Sequence, residues 1–214
     1  MDSLVYDDKE HKYYADGREL ISVTTLLNLE GASTGMEFVD EFFRNRGTFV
    51  HLATAYHDRG VLDRILADTS GNPAIVAFQE GFVAYGCQGF LDSWKRYRDS
   101  TGIAYTSEHI EVRLADPVYG FAGCLDRLPL LDVKSGAPKL ADSFQIGAYY
   151  GLCQANKIDT DYYLSDKARK IVYLNDDGSA PNVASLSVKD TLSFRNDFYA
   201  ALRWHRAKLL NIPR

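Results

Sequence analysis

Residues 120–136, GFAGCLDRLPLLDVKSG, decide the fold of this chain. They contain two short apolar runs, 121–125 and 130–133, and the second run is followed by the turn-forming sequence Ser135-Gly-Ala-Pro138. Short apolar runs bounded by turn residues are typical of β-strands. The stretch therefore predicts two strands, and an antiparallel hairpin would have its tip at Leu128-Pro129-Leu130.

Three charged residues of this hairpin are expected to share one patch. Residues two apart on a strand lie on the same face, so Asp132 and Lys134 project together. In the antiparallel pairing Asp126 falls opposite Asp132, with β carbons about 4.5–5.5 Å apart. Two carboxylates at that distance repel each other unless a cation lies between them, and Mg²⁺ or Mn²⁺ prefers carboxylate and water oxygens as ligands. The alternative is a salt-bridged, solvated strand, which has the same sequence pattern.

The rest of the chain contains strand-like and helix-like segments. Polar and apolar residues alternate over 4–25 around Asp16-Gly17, which predicts an N-terminal β-hairpin. Apolar residues recur at helical spacing over 34–66, where Arg46-Gly47 separates two helices, and again over 73–100. The elements predicted further along the chain are strands within 103–134, a helix over 140–156, a hairpin of 171–174 with 182–186, and a helix over 190–210. The order ββ-ααα-βββ-α-ββ-α predicts one α/β or α+β domain around a mixed sheet.

Composition and charge limit the classes of function. The 214 residues are 46% apolar and carry a formal charge of -5, which suits one globular domain and argues against a protein that coats nucleic acid through bulk positive charge. A polyanionic partner must therefore meet local positive charge or a metal. The three scattered cysteines lack C-x-x-C spacing, which predicts reduced thiols in the cytoplasm. The acidic N-terminus and the absence of a bilayer-length apolar run predict a protein that is neither secreted nor inserted in a membrane.

Further candidate residues lie on either side of the hairpin. Glu111 falls on a predicted strand that can neighbour the Asp126 strand, with Glu108 as a competitor of opposite facing. Gln145 and Tyr149, spaced i and i+4, share a face of the following helix and can hydrogen-bond a phosphate or orient the lysine, although a plain helix surface gives the same spacing.

An upstream segment, Arg46-Gly-Thr-Phe-Val-His51, presents one histidine early in a helix. A lone histidine is more often a packed or surface residue than a ligand. The last segment, 189–214, has six Lys or Arg and two acids, which makes a DNA-contacting helix and a solvated helix equally reasonable interpretations.

Taken in order, these motifs resemble a known enzyme family. R-G-T-x-V-H ending at His51, a strand glutamate, G-x-x-D ending at Asp126, D-x-K from Asp132 to Lys134, and Q-x-x-x-Y from Gln145 to Tyr149 look like the RecB-type branch of the PD-(D/E)XK nucleases. The opening HKYYADG and SVTTL sequences are similar to the N-terminus of phage-encoded exonucleases of this branch. The spacer between the two aspartates is shorter than is usual in the branch, and the cysteines cannot supply the four-cysteine iron–sulfur cluster of some relatives, so no cluster is predicted.

The resemblance implies a restriction-endonuclease-like core, a central mixed sheet flanked by helices, within a single domain over 1–214. Its parts are an N-terminal hairpin (1–30), a helical part (31–100), a catalytic core (101–174), and a hairpin with a C-terminal helix (175–214). The implied ligands of one or two Mg²⁺ or Mn²⁺ ions are the side chains of His51, Glu111, Asp126 and Asp132 and the carbonyl of Val133. The implied catalytic residues are Glu111, Asp126, Asp132 and Lys134, with substrate bound by Arg46, Gln145 and Tyr149.

The expected activity is metal-dependent hydrolysis of DNA by an exonuclease of a phage or mobile element, in recombination, replication or end processing. The alternatives are a structure-selective or single-strand endonuclease on the same site, and an inactive DNA-binding subunit. The expected partner is DNA, with a homo-oligomer and a single-strand annealing or binding protein as further candidates.

Overall fold

A mixed eight-stranded sheet forms the centre of the computed structural model, which describes residues 4–31, 41–128, 130–158 and 169–210. The strands are β1 (Val5–Asp7), β2 (Lys12–Ala15), β3 (Arg18–Ser22), β4 (Ile110–Asp116), β5 (Phe121–Arg127), β6 (Leu131–Lys134), β7 (Lys170–Tyr173) and β8 (Asn182–Ser185). Within the described ranges the helices are α1 (Val23–Leu29), α2 (Glu41–Asp58), α3 (Leu62–Leu66), α4 (Pro73–Ala84), α5 (Cys87–Thr101), α6 (Leu140–Ala155) and α7 (Val188–Leu209), with a 3₁₀ turn at Ser107–His109. The expected α/β fold with a mixed sheet and flanking helices is thereby confirmed.

Strand β5 is the strand around which the candidate site residues gather. One edge of β5 pairs antiparallel with β4 along its whole length, from Ile110↔Arg127 to Asp116↔Phe121. The other edge meets β3, in parallel, at the start of β5 and meets β6, antiparallel, at Arg127↔Leu131. Because β3 and β6 approach opposite ends of that edge, they leave a gap between them beside residues 123–126 of β5.

Helices cover both faces of the sheet. Successive residues of β7 alternate between two buried clusters, since Ile171 and Tyr173 lie in one and Val172 lies in the other. The first cluster packs the sheet against α1, α6 and α7, and the second packs it against α2, α4 and α5. None of the described helices is long and apolar enough to cross a bilayer.

The N-terminal hairpin is present, with its turn at Asp16 and Gly17. Both residues have positive φ, 52° and 73°, as the favoured two-residue hairpin turn requires. The predicted limit at residue 25 is wrong, because Ser22 accepts a hydrogen bond from the Thr25 main-chain NH and so begins helix α1 at Val23. The strand β1 adds a third strand to this unit.

Two predicted helix boundaries are wrong. Arg46-Gly47 does not separate helices, since α2 runs unbroken from Glu41 to Asp58 and buries Val50, Ala53 and Ala55. Tertiary burial of that face overrides the cost of about 1 kcal/mol for a glycine within a helix. Conversely, the single helix predicted over 73–100 is two, because Gly86 at φ 62° ends α4 and starts α5. Pro129 at the hairpin tip, the start of the predicted helix at Thr34 and the terminal Arg214 lie outside the described residues.

Candidate metal centre

Three candidate ligands from separate elements meet at the gap beside β5. His51 comes from α2, Glu111 from β4 and Asp126 from β5. One potential ligand atom of each lies within 4.8 Å of those of the other two, and His51 Nδ1 is 3.2 Å from Asp126 Oδ1. Because α2 is continuous, His51 lies in the middle of the helix and not early in it, as the sequence had predicted.

The backbone at Glu111 is in a conformation that side chains rarely adopt. Its φ is 57°, although the pairs on either side, Ile110↔Arg127 and Val112↔Leu125, keep one register. That register puts Glu111 opposite Asp126. Strained residues of this kind cluster at functional sites, where the surrounding structure holds them in place. Glu108, the alternative, is exposed in the 3₁₀ turn and accepts a hydrogen bond from Thr106, so Glu111 is the glutamate at the site.

The second aspartate and the lysine of the D-x-K motif form a buried ion pair next to this trio. Lys134 Nζ lies 2.7 Å from Asp132 Oδ2, and Asp132 is only 1% exposed. The same ammonium donates to Gln145 Oε1 at 2.9 Å, and Gln145 Nε2 in turn donates to the Tyr149 hydroxyl at 2.7 Å. Tyr149 is buried and holds the Gln145 amide in place. Gln145 is the member of the pair that lines the cavity.

Asp126 is ionised and receives hydrogen bonds from both sides. Burial pushes the pKa of Asp126 upward, but the attraction of His51 and Lys134 and the hydrogen bond from the Val133 NH, 2.6 Å from Oδ2, outweigh burial and lower the pKa to about 2. Burial likewise opposes the charge on His51, yet Asp126 raises the pKa of its imidazole.

The charged forms of the other two carboxylates, Asp132 and Glu111, are less stabilised. Burial raises the pKa of Asp132 to about 7 in spite of Lys134, and burial together with Asp126 raises the pKa of Glu111. For Lys134, burial lowers the pKa, but the surrounding carboxylates, first Asp132, raise it overall. An added cation would relieve the repulsion among the carboxylates.

Two carboxylate oxygens here, Glu111 Oε1 and Asp132 Oδ1, have no hydrogen-bond partner within the described structure. The other oxygen of Asp132, Oδ2, has its ion contact with the Lys134 ammonium. Buried carboxylate oxygens with free lone pairs, together with one imidazole, form a donor set that suits Mn²⁺ or Mg²⁺. The carbonyls of Leu130 and Lys134 accept from the β7 side, so by alternation the Val133 carbonyl faces the β5 side, where Asp126 lies. The residues present therefore fit a divalent ion.

A cavity of about 370 Å³ opens over this cluster. Its floor contains Asp126, Asp132 and Lys134, and its other walls include Thr24 and Asn28 of α1, which the sequence interpretation had placed at the end of a hairpin. Asp142 also lines the cavity. It is buried and accepts from the Lys139 main-chain NH at 2.9 Å and from the Tyr173 hydroxyl at 3.0 Å. Its position three residues inside α6 is a helix-capping signal that the sequence carries.

Arg46 lies beside this cavity, not within its wall. Its Nη2 donates to the Ser135 carbonyl at 2.9 Å, and its guanidinium packs over the rings of Phe43 and Phe90. It lines a neighbouring cavity of about 280 Å³ that shares the 135–137 segment with the first. The contact to Ser135, directly after Lys134, ties α2 to the end of β6.

The basic C-terminal helix uses much of its charge for packing. Arg195 donates to Gln154 of α6, Arg206 donates to the Tyr119 carbonyl, and Lys208 pairs with Glu30 at 2.8 Å. These contacts fasten α7 to the molecule and leave those cations less available to a DNA backbone.

Neither the family models nor the curated proteins include a match to this chain. The functional assignment therefore rests on the chemistry of the site.

Proposed function

We propose that the protein is a metal-dependent deoxyribonuclease, and specifically an exonuclease with a restriction-endonuclease-like PD-(D/E)XK core. One observation carries the proposal. Two carboxylates, Asp126 and Asp132, line one cavity together with the Lys134 ammonium and His51, and Glu111 offers a ligand atom within 4.8 Å of those of His51 and Asp126. Among the described residues, Glu111 Oε1 and Asp132 Oδ1 have no hydrogen-bond partner. Hydrolysis of a phosphodiester, an anion attacked by a weak nucleophile, calls for this combination of ligands and positive charge.

The ligands of the ion would be His51, Glu111, Asp126 and Asp132, with the Val133 carbonyl. Bound there, Mg²⁺ or Mn²⁺ would supply an acidified water and neutralise charge on the phosphate oxygens. The chain holds Asp126 ionised and ready to bind, because His51 and the Val133 NH stabilise its charged form.

Lys134 would act as a fixed cation. Burial lowers the pKa of Lys134, but the attraction of Asp132 and Asp126 raises it overall, which favours an ammonium that stabilises charge over a general base. Held by Gln145, it can donate to a non-bridging phosphate oxygen or orient the attacking water. Gln145, which lines the cavity and is itself held by Tyr149, would help to position the phosphate.

The order of the motifs along the chain supports the exonuclease assignment within this class. We infer a role in phage or mobile-element recombination, replication or end processing in the cytoplasm, with DNA as the partner. A homo-oligomer and a single-strand annealing or binding protein are the further partners to be tested. Arg46, next to the cavity, is the proposed contact to the DNA backbone beyond the scissile phosphate.

The test is a time course on linear single-stranded and duplex DNA, labelled at either end, and on a covalently closed circle. Each substrate is incubated with Mg²⁺, with Mn²⁺ or with EDTA. We expect release of terminal nucleotides from linear DNA with either ion, no release in EDTA, and an intact circle. The variant Asp132→Asn should be inactive, and Glu108→Gln, which alters an exposed carboxylate outside the site, should match the wild type.

Each other outcome has a defined meaning. Nicking of the circle identifies an endonuclease on the same site. Metal-independent DNA binding without cleavage identifies an inactive subunit. Digestion that persists unchanged in Asp132→Asn refutes the site.

A further inference from the structure

A fully buried acid next to the candidate site receives three hydrogen bonds. The Asp58 side chain has no exposed surface, and it accepts from Trp94 Nε1 at 3.1 Å, from Arg98, and from Arg127 Nε at 2.7 Å. A buried carboxylate is strongly unfavourable unless it is paired and hydrogen-bonded. The three donors meet that requirement, and together they fix the position of the Asp58 carboxylate.

Arg127 extends this network to the candidate ligands. Its side chain is also fully buried, and it follows Asp126 in β5. Its Nη1 donates to the Asp126 main-chain carbonyl at 2.6 Å and lies 3.7 Å from Glu111 Oε1. One guanidinium thus contacts the last residue of α2, the backbone of one ligand and the carboxylate of another.

Besides its apolar packing in the second buried cluster, helix α2 makes two charged side-chain contacts to the β4–β5 pair among the described residues. His51 and Asp58 are seven residues apart in α2, which is about two turns and about 10.5 Å of rise on nearly one face. The first point joins His51 to Asp126 and consists of the candidate ligand atoms themselves. The second joins Asp58 to Arg127 and uses none of them. Two charged contacts at this spacing fix the height and the rotation of the helix face that carries His51 more closely than either contact does alone.

We propose that the Asp58–Arg127 ion pair is a positioning device that sets the distance of His51 from Asp126 and Glu111 for divalent-ion binding. The proposal rests on the proposed function only in taking those three residues as the ligands. Outer contacts that orient metal ligands typically contribute 10–100-fold to metal affinity.

The chain offers a matched control in Arg98. Arg98 pairs with the same Asp58 carboxylate, and its Nε donates to the Ile103 carbonyl at the end of α5. Both arginines pair with Asp58. Arg127 is the one that also contacts the Asp126 carbonyl and the Glu111 carboxylate. Arg127→Lys and Arg98→Lys each keep the charge and lose one guanidinium fork.

The experiment is a calorimetric titration of Mn²⁺ into the full chain, below the unfolding temperature of each variant and with folding checked by circular dichroism. We expect Arg127→Lys and Asp58→Asn to bind Mn²⁺ about 10–100-fold more weakly than the wild type, and Arg98→Lys to stay within about 3-fold. A purely structural pair would lower the unfolding temperature of both lysine variants and leave the affinity of the folded protein unchanged. If Arg127→Lys or Asp58→Asn does not fold, Asp58→Glu, which keeps the charge but adds one methylene between α2 and Arg127, should also weaken Mn²⁺ binding.

Two results overturn the proposal: Mn²⁺ affinity of folded Arg127→Lys within 3-fold of the wild type, or a wild-type protein that binds no Mn²⁺. The DNA assay separates this failure from that of the proposed function. If the wild type digests DNA and Arg127→Lys binds Mn²⁺ with normal affinity, only the positioning role is refuted. If the variants show the expected losses of Mn²⁺ affinity but the wild type digests no DNA, only the nuclease assignment is refuted.

Discussion

Two charged regions of this molecule differ in whether the protein itself satisfies their charges. At the candidate site, Asp132 is buried and Glu111 is half-buried, and one carboxylate oxygen of each has no hydrogen-bond partner among the described residues. Glu111 also has a strained backbone. Along α7, the cations Arg206 and Lys208 are bound to the Tyr119 carbonyl and to Glu30. Unsatisfied buried charge points to a ligand, whereas surface charge with a partner stabilises packing.

The largest expected effect is on catalysis at the unsatisfied region. Lys134→Ala should lower the initial rate of Mg²⁺-dependent DNA digestion by about 10²–10³-fold, because it removes a positioned cation from the reacting phosphate. Lys208→Ala removes a cation from α7 and should leave the rate within about 2-fold. Initial rates at saturating metal measure both effects. Equal rates in the two variants would contradict the claim that Lys134 acts in catalysis and Lys208 does not.

The next effect is stabilisation by the ion. Mn²⁺ at about 100 times its dissociation constant should stabilise the folded protein by about 2.7 kcal/mol, since it binds ligands assembled only in the folded state. For a chain of this size that corresponds to roughly 5–10 °C in unfolding temperature. Differential scanning fluorimetry with and without Mn²⁺ measures the shift, which should vanish in Asp126→Asn and persist in Lys208→Ala. A shift of equal size in Asp126→Asn would show that the ion binds elsewhere.

A stability effect confined to the other region comes from Gly147. A β carbon there would lie 2.5 Å from the main-chain nitrogen of Arg195, so α7 would have to move away from α6. Gly147→Ala should destabilise the fold by about 1–3 kcal/mol despite the helix propensity of alanine. Urea unfolding gives the value. Mn²⁺ affinity of the folded variant should be unchanged, and a loss of affinity would mean that the two regions are coupled.

The smallest effect belongs to the surface ion pair of α7. Lys208→Ala should lower the free energy of unfolding by less than about 1 kcal/mol, because the exposed Lys208 ammonium is screened by water and salt. The loss should shrink further at 1 M NaCl. Urea unfolding at low and high salt checks this, and a loss that salt does not reduce would contradict a simple screened pair.

The local parts of the site could be predicted from the sequence, because they depend on spacing within one element. Asp132 and Lys134 lie two apart on β6, and Gln145 and Tyr149 lie four apart on α6. The pairing of β5 with β6 also followed from the short turn between them, and the register Arg127↔Leu131 continues to Asp126 opposite Asp132.

Helix limits were harder to predict, because burial outweighed local signals. Gly47 continues a helix whose packing face is buried, while Gly86 ends one. Sequence spacing alone cannot separate these two glycines, since what differs is the packing around them and the φ that each adopts.

By itself, the sequence determined which residue types are available for metal and phosphate chemistry and which of them lie on a common face of one strand or helix. Only the tertiary structure decided between Glu111 and Glu108, brought His51 to Asp126, and joined Asp58 to Arg127. The physical reason is that strand register and helix packing depend on contacts between residues far apart in the chain. Those contacts also decide which charges the protein satisfies and which it leaves for a ligand.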